Sequence, residues 1–347
     1  MSIRVGINGL GRIGKGIVSA WVERNCEGVE IVMINDKTEA SSFAHLLKYD
    51  SVHGRLHADL RGEGNAIVIG SGNGSRKIHL CSHASPDEIP WEEHGVDLVM
   101  ECTGKFTERK KAELHLKKTV KKVLISAPAK DPDVTIVLGV NNASYDAHKH
   151  HIVSNASCTT NCLAPVAKVL HDTFGIERGF MTTIHSYTND QKILDKYHKD
   201  LRRARAGGLS MIPTTTGAAK SIGIVMPELA GRMDGMSIRV PTPNVSLIDL
   251  VMNLKKSATK DEVNDVFRRY AAGPMAGILG CSEEPLVSID FNGTRESAII
   301  DTALTSVIND PKGSGENLVK VIAWYDNETA FSHRMLDLAA FVTGSSK

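Results

Sequence analysis

Residues 154–162 read SNASCTTNC, which sets Cys158 among small hydroxyl and amide residues with a second cysteine, Cys162, four positions on. HIVSNAS (151–157) reads as a strand entering a turn. CLAPVAKVLHDTF (162–174) then lays Leu163, Val166, Val169, Leu170 and Phe174 along one helical face. Cys158 is therefore expected near a helix N-terminus, where free amides and the helix dipole stabilise a thiolate. The same amides can hold the oxyanion of an attacked carbonyl. Pro165 is expected to kink this helix or to mark a later start. Cys162 falls with the apolar stripe and reads as a small buried residue, a disulfide to Cys158 under oxidation being the alternative. A thiol nucleophile needs a base. His185, at the end of the strand-like FMTTIHSYT (180–188), is the candidate.

Two further stretches have anion-binding character. DLRRARAGG (200–208) packs three arginines before glycines, and PTTTGAAK (213–220) puts a hydroxyl-rich turn at a helix start. Arg239 sits inside the apolar strand SIRVP, where a charge requires either a bound anion or an acidic partner.

These residues need elements to position them. IRVGIN (3–8), GLGRIG (9–14) and KGIVSAWVER (15–24) read as strand, turn and helix, with Ile17, Val18, Trp21 and Val22 at helical spacing. Gly9, Gly11 and Gly14 form G-x-G-x-x-G: a tight turn, close approach to a pyrophosphate, and close helix–strand packing. VEIVMIND (29–36) is a second strand, whose terminal Asp36 can accept hydrogen bonds from a ribose. VDLVMECTG (96–104) and KKVLISAPA (121–129) add strands. Their ends, with Thr103, Gly104 and Ser126, suit the crevice outside the carboxyl edge of a parallel sheet. A helix is expected over roughly 107–118, and a hairpin insertion over 62–80. HKHH (148–151) lacks metal-ligand spacing and reads as a solvated loop.

After about residue 158 the texture changes to long β-like runs at 180–188, 236–254, 298–309 and 318–326. Helices are expected at 259–272 and 328–343. The pattern fits a mostly antiparallel sheet with helices on one side.

The bulk figures narrow the field. The 347 residues are 41% hydrophobic, enough for two domains. Lysine and arginine total 41 against 40 acids, so charge gives no case for nucleic acid or a membrane surface as partner. Six cysteines without disulfide-like spacing, and an opening MSIRVGING without a signal segment, point to the cytoplasm.

GRIG, ECTG, SNASCTTNC, HSYTNDQ, DLRRARA, IPTTTGAAK, RVPTPNVS and WYDNET together resemble the phosphorylating glyceraldehyde-3-phosphate dehydrogenase family over almost the whole chain. The resemblance implies an α/β Rossmann dinucleotide-binding domain plus an α+β catalytic domain with a mostly antiparallel sheet. The cofactor domain would span 1–157 with a C-terminal helix at 327–347, and the catalytic domain 158–326. It implies Cys158 as nucleophile and His185 as base. Cofactor contacts would come from Gly9, Gly11, Arg12, Ile13, Gly14, Asp36, Thr103, Ser126 and Asn327. Substrate or inorganic phosphate would bind at Ser157, Thr159, Thr188, Arg203, Thr216, Gly217 and Arg239. It also implies NAD, glyceraldehyde 3-phosphate and inorganic phosphate as ligands, a homotetramer, and no metal.

Three departures stand out. Lys196-Tyr197 replaces the Leu-Pro pair common in NAD-using members, and Lys37 follows Asp36, which leaves secondary use of NADP as an alternative to lysines that merely reach solvent. Ala330-Phe331 replaces a frequent Gly-Tyr. The rival readings are an erythrose-4-phosphate dehydrogenase, towards which Tyr197 and DFNGTRESAI (290–299) lean, and a non-catalytic NAD-sensing protein.

Overall fold

The computed structural model describes residues 2–24, 28–309 and 317–344; Met1, Cys26 and Lys347, which the sequence reading includes, lie outside the described residues. The chain divides into two compact units. One comprises Met1–Ile136, Ala143–Ala156 and Ser332–Lys347; the other comprises Val137–Asn142 and Ser157–Phe331.

The first unit is built on a nine-stranded sheet. Ile3–Asn8 pairs in parallel with Val29–Asn35 on one side and with Leu98–Glu101 on the other. Lys122–Ile125, Ile152–Ser154 and Val134–Thr135 continue in parallel beyond Leu98–Glu101. Beyond Val29–Asn35 come Arg76–Cys81, parallel, then Ala66–Ile69 and Leu60–Glu63, antiparallel. The expected hairpin insertion is thus present, as part of a three-stranded edge. The chain order runs outward both ways from Ile3–Asn8 and Leu98–Glu101, so the strand order reverses between them, and a ligand crevice belongs at their carboxyl ends. Both strands are almost wholly buried, as a sheet covered on two faces requires. Helix Arg12–Arg24 buries Ile17, Val18 and Trp21, as its spacing predicts. Its last residue, Arg24, pairs with Asp337 of helix Thr329–Val342 at 2.8 Å.

The helix expected over 107–118 is reduced to one turn, Arg109–Ala112, and a 3-10 turn, Glu113–His115. Two forces break it. Lys118 takes a left-handed φ of 50°. His115 is drawn fully into the core, where Trp91 Nε1 donates to its Nδ1 at 3.2 Å and its Nε2 lies 3.2 Å from Glu101.

The second unit holds an eight-stranded sheet, mostly antiparallel as expected. Ile176–Ser186 is its spine, parallel to Met233–Val240 and antiparallel to Ser246–Leu254. Burial alternates along Ser246–Leu254 without a break, so one face meets the core and the other is open. Helix Cys158–Phe174 lies on the sheet and touches helices Ala218–Val225 and Lys260–Ala272. It starts at Cys158, not beyond Pro165. The Ser157 hydroxyl caps it by accepting the Thr160 N–H at 3.0 Å, and twelve of its residues are buried. That burial, with the cap, outweighs the roughly 3 kcal/mol an internal proline costs. Lys260–Ala272 is capped by a reciprocal Thr259–Glu262 box.

Candidate active site

In the second unit, strand register does the first positioning. His185 and Arg239 are direct neighbours across the parallel pair Ile176–Ser186 and Met233–Val240. Helix Cys158–Phe174 brings the Cys158 Sγ to 3.7 Å from His185 Nε2. The other ring nitrogen, Nδ1, lies 2.7 Å from the Ser186 carbonyl oxygen. A carbonyl can only accept, so Nδ1 carries the proton and Nε2 offers its lone pair to the sulfur. Arg239 Nη1 is 3.2 Å from both Ser186 O and His185 Nδ1. With Nδ1 already a donor, the arginine donates to the carbonyl.

Burial pushes the Cys158 thiol up. The Arg239 charge, the Thr159 side chain and the backbone amides of Thr159 and Cys158 work the other way without overcoming it. Burial and Arg239 push His185 down to about 3. The helix N-terminus expected to stabilise a thiolate is present; burial works against the charged form of either group, while Arg239 and the helix-start amides favour that of the sulfur. Across 3.7 Å a thiolate and an imidazolium attract by about 4 kcal/mol at an effective dielectric constant near 20, which lowers the cost of passing the proton. Cys162 is fully buried and, like Cys158, a free thiol.

Around this pair the expected anion residues gather. Arg239 has no ion-pair partner among the described residues, and its Nε is buried without a hydrogen bond. Of the two options the sequence left open, an acidic partner is not found among the described residues. Thr188 Oγ1 lies 3.4 Å from Arg239 Nη1. Arg203 is held by Asp190 at 2.7 Å and donates to Thr214 Oγ1 and to the Thr215 carbonyl, beside Thr216 and Gly217. A Cβ on Gly217 would meet nothing within 4 Å, so the backbone there faces open space. Thr159 differs from the rest: its hydroxyl is buried against Tyr325 at 2.9 Å, which in turn contacts Thr183 at 2.8 Å. Sequence reasoning passed over Tyr325, Asp190 and Thr214: Tyr325 meets the His185 ring edge-on at 6.0 Å between centroids, and Asp190 and Thr214 act through Arg203.

In the first unit, Gly9, Gly11, Asp36 and Thr103 line a groove of about 450 Å³, with Asn8, Asn35 and Lys37. Three observations match this groove to a dinucleotide. A Cβ on Gly14 would sit 2.2 Å from the Gly9 carbonyl oxygen, while one on Gly11 would meet nothing within 4 Å. The pyrophosphate position over Gly11 is therefore open, and the helix behind it is pressed onto the turn. Asp36 Oδ2 takes the Leu10 N–H at 2.8 Å, so the acid fastens the glycine turn as well as facing the groove. Arg12, followed by Ile13 at the helix start, pairs with Asp50. Ser126 turns its hydroxyl back to the Glu101 carbonyl. Asn327, expected among the cofactor contacts, belongs to the second unit, where its Oδ1 takes hydrogen bonds from Ser186 and Ser246.

A dinucleotide-binding unit joined to a unit carrying a paired thiol and imidazole is the make-up of a cysteine-dependent dehydrogenase. The description "Glyceraldehyde 3-phosphate dehydrogenase, NAD binding domain" matches residues 3–109, and "Glyceraldehyde 3-phosphate dehydrogenase, C-terminal domain" matches residues 157–327. Glyceraldehyde-3-phosphate dehydrogenase of Geobacillus stearothermophilus is 55% identical over 342 residues, covering 99% of this chain and 98% of that protein. Glyceraldehyde-3-phosphate dehydrogenase 1 of Bacillus cereus is 55% identical over 340 residues, and that of Bacillus subtilis (strain 168) 53% over 342, each pair matched over 98% or more of this chain and 98% of the relative. The chain belongs to the glyceraldehyde-3-phosphate dehydrogenase family.

Proposed function

We propose that the chain is an NAD-dependent, phosphorylating glyceraldehyde-3-phosphate dehydrogenase, a cytoplasmic homotetramer in which Cys158 is the nucleophile and His185 the base. One observation carries the reading: the Cys158 Sγ at its helix start, 3.7 Å from His185 Nε2, beside an arginine with no acidic partner among the described residues.

Cys158 Sγ attacks the aldehyde carbon as its proton passes to Nε2, and Nε2 returns that proton to the new oxyanion, giving a hemithioacetal. The amides at the helix start hold the oxyanion meanwhile. NAD, when bound, would supply the hydride acceptor, and Gly9, Gly11, Arg12, Ile13, Gly14, Asp36, Thr103, Ser126 and Asn327 are the residues that would hold it. His185 takes the hydroxyl proton as the hydride departs, and a thioester remains on Cys158. Inorganic phosphate then attacks the thioester carbonyl, the acyl phosphate leaves, and the released sulfur regains its proton from His185. Two phosphate groups need two cationic sites, and Arg239 with Thr188 and Arg203 with Thr216 and Gly217 supply them. Ser157 and Thr159 flank the sulfur, Ser157 capping its helix. Lys37 lines the nucleotide groove beside Asp36, which supports secondary use of NADP through a 2′-phosphate.

The test is reduction of NAD and of NADP by glyceraldehyde 3-phosphate, with and without inorganic phosphate. The proposal expects multiple turnovers with NAD that require phosphate. Turnover indifferent to phosphate, or a strong preference for the four-carbon aldose phosphate, contradicts it.

A further inference from the structure

The basic face of His185 depends on one carbonyl, that of Ser186, and a buried polar cluster holds that carbonyl in place. The Ser186 N–H donates to Ser246 Oγ at 3.0 Å. The Ser246 and Ser186 hydroxyls each lie 2.8 Å from the Asn327 Oδ1. Ser186, Ser246 and Asn327 are all at most 4% exposed. Both hydroxyl protons are satisfied when the amide presents oxygen to them; with the opposite flip one hydroxyl can still donate to the other across 3.3 Å, but the second proton has no acceptor in the cluster. The Ser186 N–H belongs to the preceding peptide; the carbonyl's own peptide, Ser186–Tyr187, is held by the Tyr187 N–H donating to Thr242 O at 3.1 Å. Ser246 follows Val245, whose φ of 65° is a left-handed conformation that a β-branched residue strongly resists. Such strain persists only where the surroundings over-determine it, and it marks functional positions more often than others.

We infer that Ser246 and Asn327, with the strained Val245 preceding Ser246, are positioning residues that fix the His185 tautomer by holding Ser186 through its N–H and hydroxyl, on the side of its Cα away from the carbonyl. The inference rests on the proposed Cys158–His185 pair and adds what keeps the imidazole in its proton-accepting form. Without those bonds Ser186 is held only at the Tyr187 N–H, and its carbonyl can tilt away from Nδ1. Arg239 Nη1, already 3.2 Å from Nδ1, would then donate to the ring and drive the proton to Nε2, the nitrogen that must stay free.

Two readouts on the full-length protein test this. Long-range 1H–15N spectra of the histidine rings, with His185→Asn identifying the signal, report the tautomer directly. The pH profile of Cys158 alkylation by iodoacetamide reports its consequence. The expected result is a single Nδ1–H tautomer in the wild type, and a mixture or the Nε2–H form in Ser246→Ala. Alkylation at neutral pH should slow about tenfold or more, as when a second partner of a functional imidazole is lost, with rescue by Ser246→Thr. Ser186→Ala, which keeps the backbone bond to Ser246, should give a smaller change in the same direction. An unchanged tautomer in Ser246→Ala overturns the inference, as does a Ser246→Thr variant no better than the alanine. An inert Cys158 in the wild type would instead overturn the proposed function and leave the tautomer result standing.

Discussion

Arg239 is the charge that matters most to the Cys158 sulfur. It opposes the burial that raises the thiol, and it adds to the burial that lowers His185. Replacing it with glutamine removes the opposing influence, so the thiol titrates at still higher pH. Alkylation of Cys158 in Arg239→Gln is expected to be slower than wild type at neutral pH, with the profile displaced upward; measured rates against pH check this. His185→Asn removes the proton acceptor and leaves the anion sites. A kcat loss of about 10²–10⁴-fold with little change in KM for the aldehyde is expected from steady-state kinetics. At this scale the sequence showed which residues to suspect and concealed how they are held. Cys158 and His185 stand out by type and setting, whereas the roles of the Ser186 carbonyl beside His185, of Asp190 against Arg203 and of Tyr325 against Thr159 become visible only in the folded chain.

Element boundaries followed local chemistry where local chemistry was strong. The run at 259–272 shows an apolar face and a Thr-x-x-Glu start, and it forms helix Lys260–Ala272 with its capping box. Thr259→Ala should cost about 1 kcal/mol and lower the melting temperature while leaving kcat unchanged, as calorimetry and assay would show. Residues 107–118 misled for the opposite reason: the long-range bonds of His115 to Glu101 and Trp91 outweigh a weak helical preference. In the first unit, Asp50 ties helix Arg12–Arg24 to the following segment through Arg12 and Lys15. Burial works to raise its pKa, but hydrogen bonds from His53, Arg12 and the Val52 and His53 amides hold its carboxyl far below the usual range. A lowered carboxylate pKa adds stability that is complete above the unfolded value of 3.8 and is lost as pH falls below it. Asp50→Asn should therefore be less stable than wild type by about 2 kcal/mol at neutral pH, and the gap should close below pH 3.8, as denaturant titrations at several pH values would show.

Over the whole chain the change of texture near residue 158 was the most legible feature. Seven strands of the first unit run parallel, and the long strands of the second pair mostly in antiparallel. The resemblance already implied that the C-terminal helix joins the first unit, which it does from Ser332 onward; what the sequence did not disclose is that Val137–Asn142 belongs with the second. The segment Ile193–Met211 exposes large apolar side chains, Ile193 at 92%, Tyr197 at 84% and Leu209 at 82%, which fits burial against another copy. Sedimentation should report four chains per particle, and a monomer at assay concentration would contradict the proposed assembly. The most direct measurement of the central claim is peptide mass spectrometry of the enzyme mixed with NAD and glyceraldehyde 3-phosphate. Without phosphate, the peptide bearing Cys158 should carry the acyl group as a thioester, and adding phosphate should discharge it. No adduct on Cys158 under turnover, or full activity in Cys158→Ser, would contradict the account.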